Sequence, residues 1–130
     1  MNMKILICDD EIFIRILIRK VLEKEGFLIC ESTNGLEGYE KALSVKPDLI
    51  IMDYEMPIMN GAEAIKKIKD NCEIADIPVI LLTGYNLEPE LKESLMEHAD
   101  SYLVKPFEKE ELFSAIKRAV GKNPDKPSNQ

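Results

Sequence analysis

At four places along the 130 residues stand side chains that could do chemistry together: the acidic trio Asp9, Asp10 and Glu11, then Asp53, Thr83 and Lys105. Brought to one place, the carboxylates would repel each other by several kcal/mol at an effective dielectric of about 20, and a divalent cation is the simplest remedy. The donors are all oxygens, which favours Mg²⁺ over zinc. Mg²⁺ keeps waters and prefers a phosphate oxygen as a further ligand. A Lys105 ammonium and a Thr83 hydroxyl both suit a phosphoryl group. A carboxylate facing that group can itself be the nucleophile and give an acyl phosphate by in-line displacement. Asp53 is the candidate for that role. Taken singly, each position has a plainer reading, since an aspartate at a strand end often only caps a loop.

Whether the four meet depends on the elements that carry them. Asp53 closes Leu49 to Met52, an unbroken apolar run after Pro47, the pattern of a strand buried on both faces. The acidic trio closes the apolar run Met3 to Cys8, Thr83-Gly84 closes Val79 to Leu82, and Lys105-Pro106 closes Ser101 to Val104. A shorter, alternating strand at Leu28 to Ser32 suits a sheet edge. Helical spacing separates the strands. Ile14, Leu17, Ile18, Val21 and Leu22 form one core-facing stripe of a helix from Ile12 to Glu25 that Gly26 ends. Asn34-Gly35 reads as a turn, after which Leu36, Tyr39 and Leu43 mark a helix to about Ser44. Ala64, Ile65 and Ile68 mark a third helix beginning at Gly61. Leu87, Leu91 and Leu95 mark a fourth, with Glu88, Pro89 and Glu90 favourable in its first turn. A last helix from about Glu108 to Val120 buries Leu112, Phe113, Ile116, Ala119 and Val120.

Five strands alternating with five helices through short connections require a parallel sheet covered on both faces, an α/β fold of (βα)5 type. Right-handed crossovers point every strand's C-terminal end the same way, so Asp9, Asp10, Asp53, Thr83 and Lys105 fall on one sheet edge, where such sheets bind ligands. Ile12, Phe13 and Ile16 lie off the first helix's stripe. They leave apolar surface beside the acidic tip, either scattered exposed residues or a partner-docking patch.

The length suits one domain, here 1-121, with 122-130 as a flexible tail or linker. A composition of 45% hydrophobic and 32% charged residues is that of a soluble globular chain. The formal net charge of −7 argues against direct nucleic-acid binding, which needs clustered cations. Cys8, Cys30 and Cys72 lack metal-type pairing and read as small buried thiols in a reducing cytosol. With no leader pattern and no membrane-length apolar run, a cytoplasmic location away from membranes is expected.

The ordered set Asp9-Asp10-Glu11, Asp53 with Met56-Pro-Ile-Met-Asn-Gly61, Thr83-Gly84 and Ala99-Asp-Ser-Tyr-Leu-Val-Lys-Pro-Phe107 resembles the receiver domains of two-component response regulators, over about residues 3 to 120. The resemblance implies a flavodoxin-like, doubly wound sheet of strand order 2-1-3-4-5, an order that comes from the family and not from the apolar pattern. It implies that Asp53 accepts a phosphoryl group from a histidine kinase or histidine phosphotransfer protein. The protein would then be a regulator that catalyses only its own phosphorylation and dephosphorylation. Asp10, Asp53 and the Glu55 main-chain carbonyl would bind Mg²⁺, with Asp9 acting through water. Lys105 would contact the phosphoryl oxygens, followed by a cis bond to Pro106. Thr83 and Tyr102 would be the moving parts of a switch that reshapes the face of helix 4, strand 5 and helix 5 for an output protein or a phosphorylation-dependent dimer. Phe13 and Ile16 would contact the phosphodonor, because relatives dock kinase helices near the first helix.

Glu55 and Tyr85 occupy positions that tune phosphoryl lifetime in related receivers, and both should hinder an attacking water, giving a fairly long-lived phosphoaspartate. His98, the sole histidine, stands where the family usually has glycine and reads as structural. Three rival readings make different predictions. A haloacid-dehalogenase-like phosphatase would also use a strand-end aspartate with Mg²⁺, but on the first strand. A flavin module would need a Ser, Thr and Gly-rich phosphate loop in place of Asp9-Asp10-Glu11. A receiver-like scaffold would bind partners without phosphorylation.

Overall fold

The structure is a computed structural model that describes residues 3–84 and 88–121. Its elements run β1 (Lys4–Cys8), α1 (Ile12–Lys24), β2 (Leu28–Ser32), α2 (Gly35–Val45), β3 (Leu49–Asp53), α3 (Gly61–Asp70), β4 (Val79–Gly84), α4 (Pro89–Met96), β5 (Ser101–Lys105) and α5 (Lys109–Gly121). The five strands form one parallel sheet in the order β2-β1-β3-β4-β5, the flavodoxin-like order. β2, the alternating strand, is at an edge as expected.

Strand parity divides the core into two layers. Leu6, Cys8, Ile50, Met52, Val79 and Leu81 face the layer that also holds Ala42 of α2, Ala64, Ile65 and Ile68 of α3 and Leu95 of α4. Ile5, Ile7, Leu49, Ile51, Ile80 and Leu82 face Ile18 and Leu22 of α1 and Leu112, Ala115, Ile116 and Ala119 of α5. Burial of β1, β3 and β4 on both faces explains why these strands read as unbroken apolar runs. Cys8 lies in this core, and burial pushes its thiol up to about 12, so it behaves as a small apolar side chain.

Several local readings need correction. Leu17 does not join the core stripe of α1: it is 48% exposed, and Ile18 and Leu22 are the buried residues of that helix. Asn34-Gly35 is not a reverse turn. The Asn34 side chain accepts a hydrogen bond from the Glu37 amide at 2.8 Å and caps α2, which starts at Gly35. The helix ends through Lys46 in a left-handed conformation, φ 50°, because the following Pro47 disfavours a helical residue before it. In α5 the fully enclosed positions are Leu112, Ala115, Ile116 and Ala119, with Phe113 and Val120 only partly buried. Leu36 and Leu91, whose spacing marked α2 and α4, lie at the surface. Of the cysteines only Cys8 is buried, Cys30 is half-buried, and Cys72 is exposed after α3. Leu87, Tyr85 and the segment 122–130 lie outside the described residues.

Candidate functional site

The C-terminal ends of β1, β3, β4 and β5 meet over one open cleft of about 930 Å³, lined by Asp10, Glu11, Asp53, Tyr54, Glu55, Met56, Pro57, Asn60, Gly84 and Lys105. Asp53 is the last residue of β3 and is 4% exposed. Asp9 follows β1 and is fully buried, whereas Asp10 beside it is exposed. Asp9, Asp10 and Asp53 each offer a carboxylate oxygen, and these oxygens lie within 4.8 Å of one another. Among the described residues, no other group of three His, Cys, Asp or Glu side chains comes as close together.

Lys105, the last residue of β5, reaches back across the sheet edge. Its Nζ is 3.0 Å from Asp9 Oδ2, 3.2 Å from Asp53 Oδ1 and 3.4 Å from Glu11 Oε1. The approach to Asp9 Oδ2 lacks the alignment of a hydrogen bond, leaving that buried oxygen without a hydrogen-bond partner among the described residues. Asp9 Oδ1 accepts the Glu11 amide at 2.9 Å. The Lys105-Pro106 bond is cis, as the resemblance implied.

One ammonium against several carboxylates does not neutralise the cleft. Burial, and after it the negative charge of Asp9, raise the Asp53 carboxyl to about 7, while Lys105 pulls in the other direction and Asp10 adds to the rise. Burial also raises Asp9. Lys105 itself is raised by its carboxylate neighbours against the effect of its own burial. These three groups are a site with surplus negative charge, and the oxygen-only donor set with an open lone-pair direction on Asp9 fits a hard divalent cation such as Mg²⁺.

Local sequence explains how the loops reach this arrangement. Gly61 lets α3 begin against the end of β3: a Cβ there would lie 2.1 Å from the Asp53 carbonyl oxygen. Its amide donates to the Tyr54 carbonyl at 2.8 Å. Asn60 caps α3 in a reciprocal capping box with Glu63. Gly35 plays the same part for α2, donating its amide to Met59 O at 2.9 Å where a Cβ would come within 2.2 Å of that oxygen.

Thr83, in β4, is 2% exposed, and its hydroxyl has no hydrogen-bond partner among the described residues. Tyr102, in β5, is half-buried with Lys92 Nζ 4.8 Å from its ring centre and Arg118 donating to its carbonyl at 3.1 Å. Glu55 lines the cleft. Phe13 is 82% exposed, and Ile12 and Ile16 are exposed as well, together with Leu17 on the same helix and Ile58 in the loop after β3. Tyr85 lies outside the described residues, and His98 lines a small groove with Ala62, Ile65 and Leu95 away from the cleft. Glu11 of the acidic trio was given no role of its own in the sequence reading, and Arg15 escaped it. Glu11 joins the Lys105 cluster, and Arg15 donates to the Asp9 carbonyl at 2.7 Å.

A parallel α/β sheet with a strand-end aspartate, two further acids and a lysine at its C-terminal edge has a place where a cation and an anionic group would fit together. Residues 5–117 match the response regulator receiver domain, and the chain belongs to that family of two-component phosphoacceptor domains. It is 37% identical over 118 residues to sporulation initiation phosphotransferase F of Bacillus subtilis, covering 91% of this chain and 94% of that protein. It is 37% identical over 116 residues to the chemotaxis protein CheY of Halobacterium salinarum, covering 89% and 95%. The receiver domain of the sensor histidine kinase PA1611 from Pseudomonas aeruginosa PAO1, solved with a magnesium ion coordinated in its active site cleft, superposes with a TM-score of 0.84 at 26% identity, covering 93% of this chain and 99% of that one. Membership sets aside the phosphatase reading, whose nucleophile lies on the first strand, and the flavin reading, whose phosphate loop is here Asp9-Asp10-Glu11.

Proposed function

We propose that Asp53 is the phosphoacceptor of this receiver domain, taking a phosphoryl group from the phosphohistidine of a histidine kinase or histidine phosphotransfer protein. The observation that carries this is the placement of Asp53 at the floor of the cleft, with Asp9 and Asp10 oxygens within 4.8 Å and Lys105 Nζ at 3.2 Å. An Asp53 carboxylate oxygen attacks phosphorus, the P–O bond forms as the P–N bond breaks, and the departing imidazole leaves with a proton. Asp10, Asp53 and the Glu55 main-chain carbonyl would hold Mg²⁺, with Asp9 acting through water. Bound there, the cation supplies positive charge that keeps Asp53 ionised and screens the incoming anion. Lys105 contacts the phosphoryl oxygens, for which its present ion pairs with Asp9 and Asp53 are stand-ins. The domain catalyses its own phosphorylation and dephosphorylation and has no other substrate.

Thr83, whose buried hydroxyl has no hydrogen-bond partner among the described residues, has a donor ready for the new phosphoryl oxygens. Its movement and an inward turn of Tyr102 would reshape the face of α4, β5 and α5 for an output protein or a phosphorylation-dependent dimer. Phe13 and Ile16 dock the phosphodonor, and the carboxylate of Glu55 slows hydrolysis of the acyl phosphate. The receiver occupies 1-121, with 122-130 as tail or linker, and works in the cytoplasm. No helix among the described residues is long and apolar enough to cross a membrane.

The test is intact mass after incubation with acetyl phosphate, with and without Mg²⁺, for the wild type and Asp53→Asn. A single phosphoryl adduct that needs Mg²⁺, is lost in the variant and is cleaved by hydroxylamine is the expected result. Phosphate release without any adduct, or an adduct retained in Asp53→Asn, overturns the assignment.

A further inference from the structure

The structure assigns Arg15 as a positioning residue for the cation site: its guanidinium ties the Asp9 main chain to β2 and so fixes how Asp9 and Asp10 are presented. This rests on the reading of the acidic cluster as a Mg²⁺ site.

Asp9 lies one residue past the last pairs of the central ladder, Cys8 with Ser32 on one side and Cys8 with Met52 on the other. Its amide still donates to the Ser32 carbonyl at 3.2 Å, but its own carbonyl points beyond the strand pairing and accepts Arg15 Nη1 at 2.7 Å. The same guanidinium donates through Nε to Glu31 Oε1 at 3.0 Å, on the neighbouring strand β2. Glu31 is in turn held by Arg19 at its other oxygen, and its carbonyl accepts Lys41 Nζ. Arg15 is 14% exposed, so both bonds are partly sheltered from water. The planar fork of an arginine spans carbonyl and carboxylate at once, which a lysine cannot do. The result is a continuous brace from α2 and β2 through Glu31 and Arg15 to the turn that carries two of the three carboxylates. Side chains that orient metal ligands from behind typically change metal affinity about 10–100-fold when lost.

The sign of the effect separates this role from simple electrostatics. Arg15 is a cation beside an acidic cluster, so Coulomb interaction alone makes Mg²⁺ bind more tightly when Arg15 is neutralised. Loss of the brace makes it bind more weakly. The experiment is Mg²⁺ titration of the full chain by calorimetry and by amide chemical shifts, for wild type, Arg15→Met, Arg15→Lys and Arg19→Gln, with urea unfolding of each in EDTA. Arg15→Met should weaken Mg²⁺ binding about tenfold. Arg15→Lys, which keeps the charge but not the fork, should fall between it and wild type. Arg19→Gln loosens Glu31 without touching Asp9 and should leave the affinity within about twofold. Asp9→Asn combined with Arg15→Met should weaken binding by less than the product of the two single effects, because one acts through the other. Equal or tighter Mg²⁺ binding by Arg15→Met and Arg15→Lys overturns the inference while leaving the cation site standing. Absence of Mg²⁺ binding by the wild type overturns the cation reading and this inference with it. If Arg15→Met does not fold, the outcome with Arg15→Lys decides alone.

Discussion

A carboxyl held at about 7 beside a buried carboxylate makes Asp53 a sensor of its own surroundings. Its folded value lies above the ordinary 3.8 because burial and Asp9 disfavour the ion. The folded state therefore grips this proton more tightly than the unfolded chain does. The resulting stability is fully present below pH 3.8 and is lost as pH rises toward about 7. In EDTA, urea unfolding between pH 4 and pH 8 should show the wild type losing ground against Asp53→Asn as pH rises, with the variant more stable at the alkaline end. Saturating Mg²⁺ should flatten the difference. Parallel curves for the two proteins in EDTA would show that Asp53 ionises in the folded state as easily as in the unfolded one.

At the scale of elements, the site depends on two helices beginning closer to neighbouring backbone than side chains allow. α3 starts at Gly61 against the Asp53 carbonyl, where an added methyl meets oxygen at 2.1 Å. The contact is backbone on backbone, so relief requires α3 to move away from β3. Gly61→Ala should cost about 3 kcal/mol in urea unfolding and lower the yield of acetyl phosphate adduct. Asn60→Ala, which removes only the cap of the same helix, should cost about 1 kcal/mol and leave the adduct intact. Near-wild-type stability of Gly61→Ala would mean that the loop between β3 and α3 yields readily. The α2 cap shows the same economy of space, because Gly35 contacts the Met59 carbonyl of that loop.

For the whole molecule, what matters is which apolar surface stays outside. Phe13, Ile12, Ile16 and Leu17 are exposed on α1, the helix that follows Glu11 of the cleft, and Ile58 is exposed in the loop after β3. None of them belongs to the packed layers beneath. Phe13→Ser should therefore change stability by less than about 0.5 kcal/mol. It should leave labelling by acetyl phosphate unchanged while reducing the rate of phosphotransfer from the cognate phosphohistidine donor. An unchanged protein donor rate would move the docking surface elsewhere on the molecule.

The sequence alone determined the fold class and which strand-end residues share one sheet edge. Unbroken apolar strands alternating with helices admit only a parallel sheet covered on both faces, and parallel strands with right-handed crossovers must deliver Asp9, Asp10, Asp53, Thr83 and Lys105 to one edge. These follow from local pattern because burial on two faces writes itself into consecutive residues. Helix faces were less legible: Leu17 shares the spacing of the α1 core stripe yet is exposed, since a helix's contact arc is set by where the sheet ends and not by its own periodicity. Asn34-Gly35 carries the residues of a turn, but in the structure the Asn34 side chain caps α2 and the Gly35 amide packs against the Met59 carbonyl at its start. Tertiary structure alone decided that Lys105 is shared among Asp9, Glu11 and Asp53, that Asp53 is raised while Asp10 stays open to solvent, and that Arg15 braces the Asp9 carbonyl from β2. Those are distances between residues far apart in the chain, and the strength of a charge or hydrogen bond depends on such distances and on burial, which residue types and spacing do not encode.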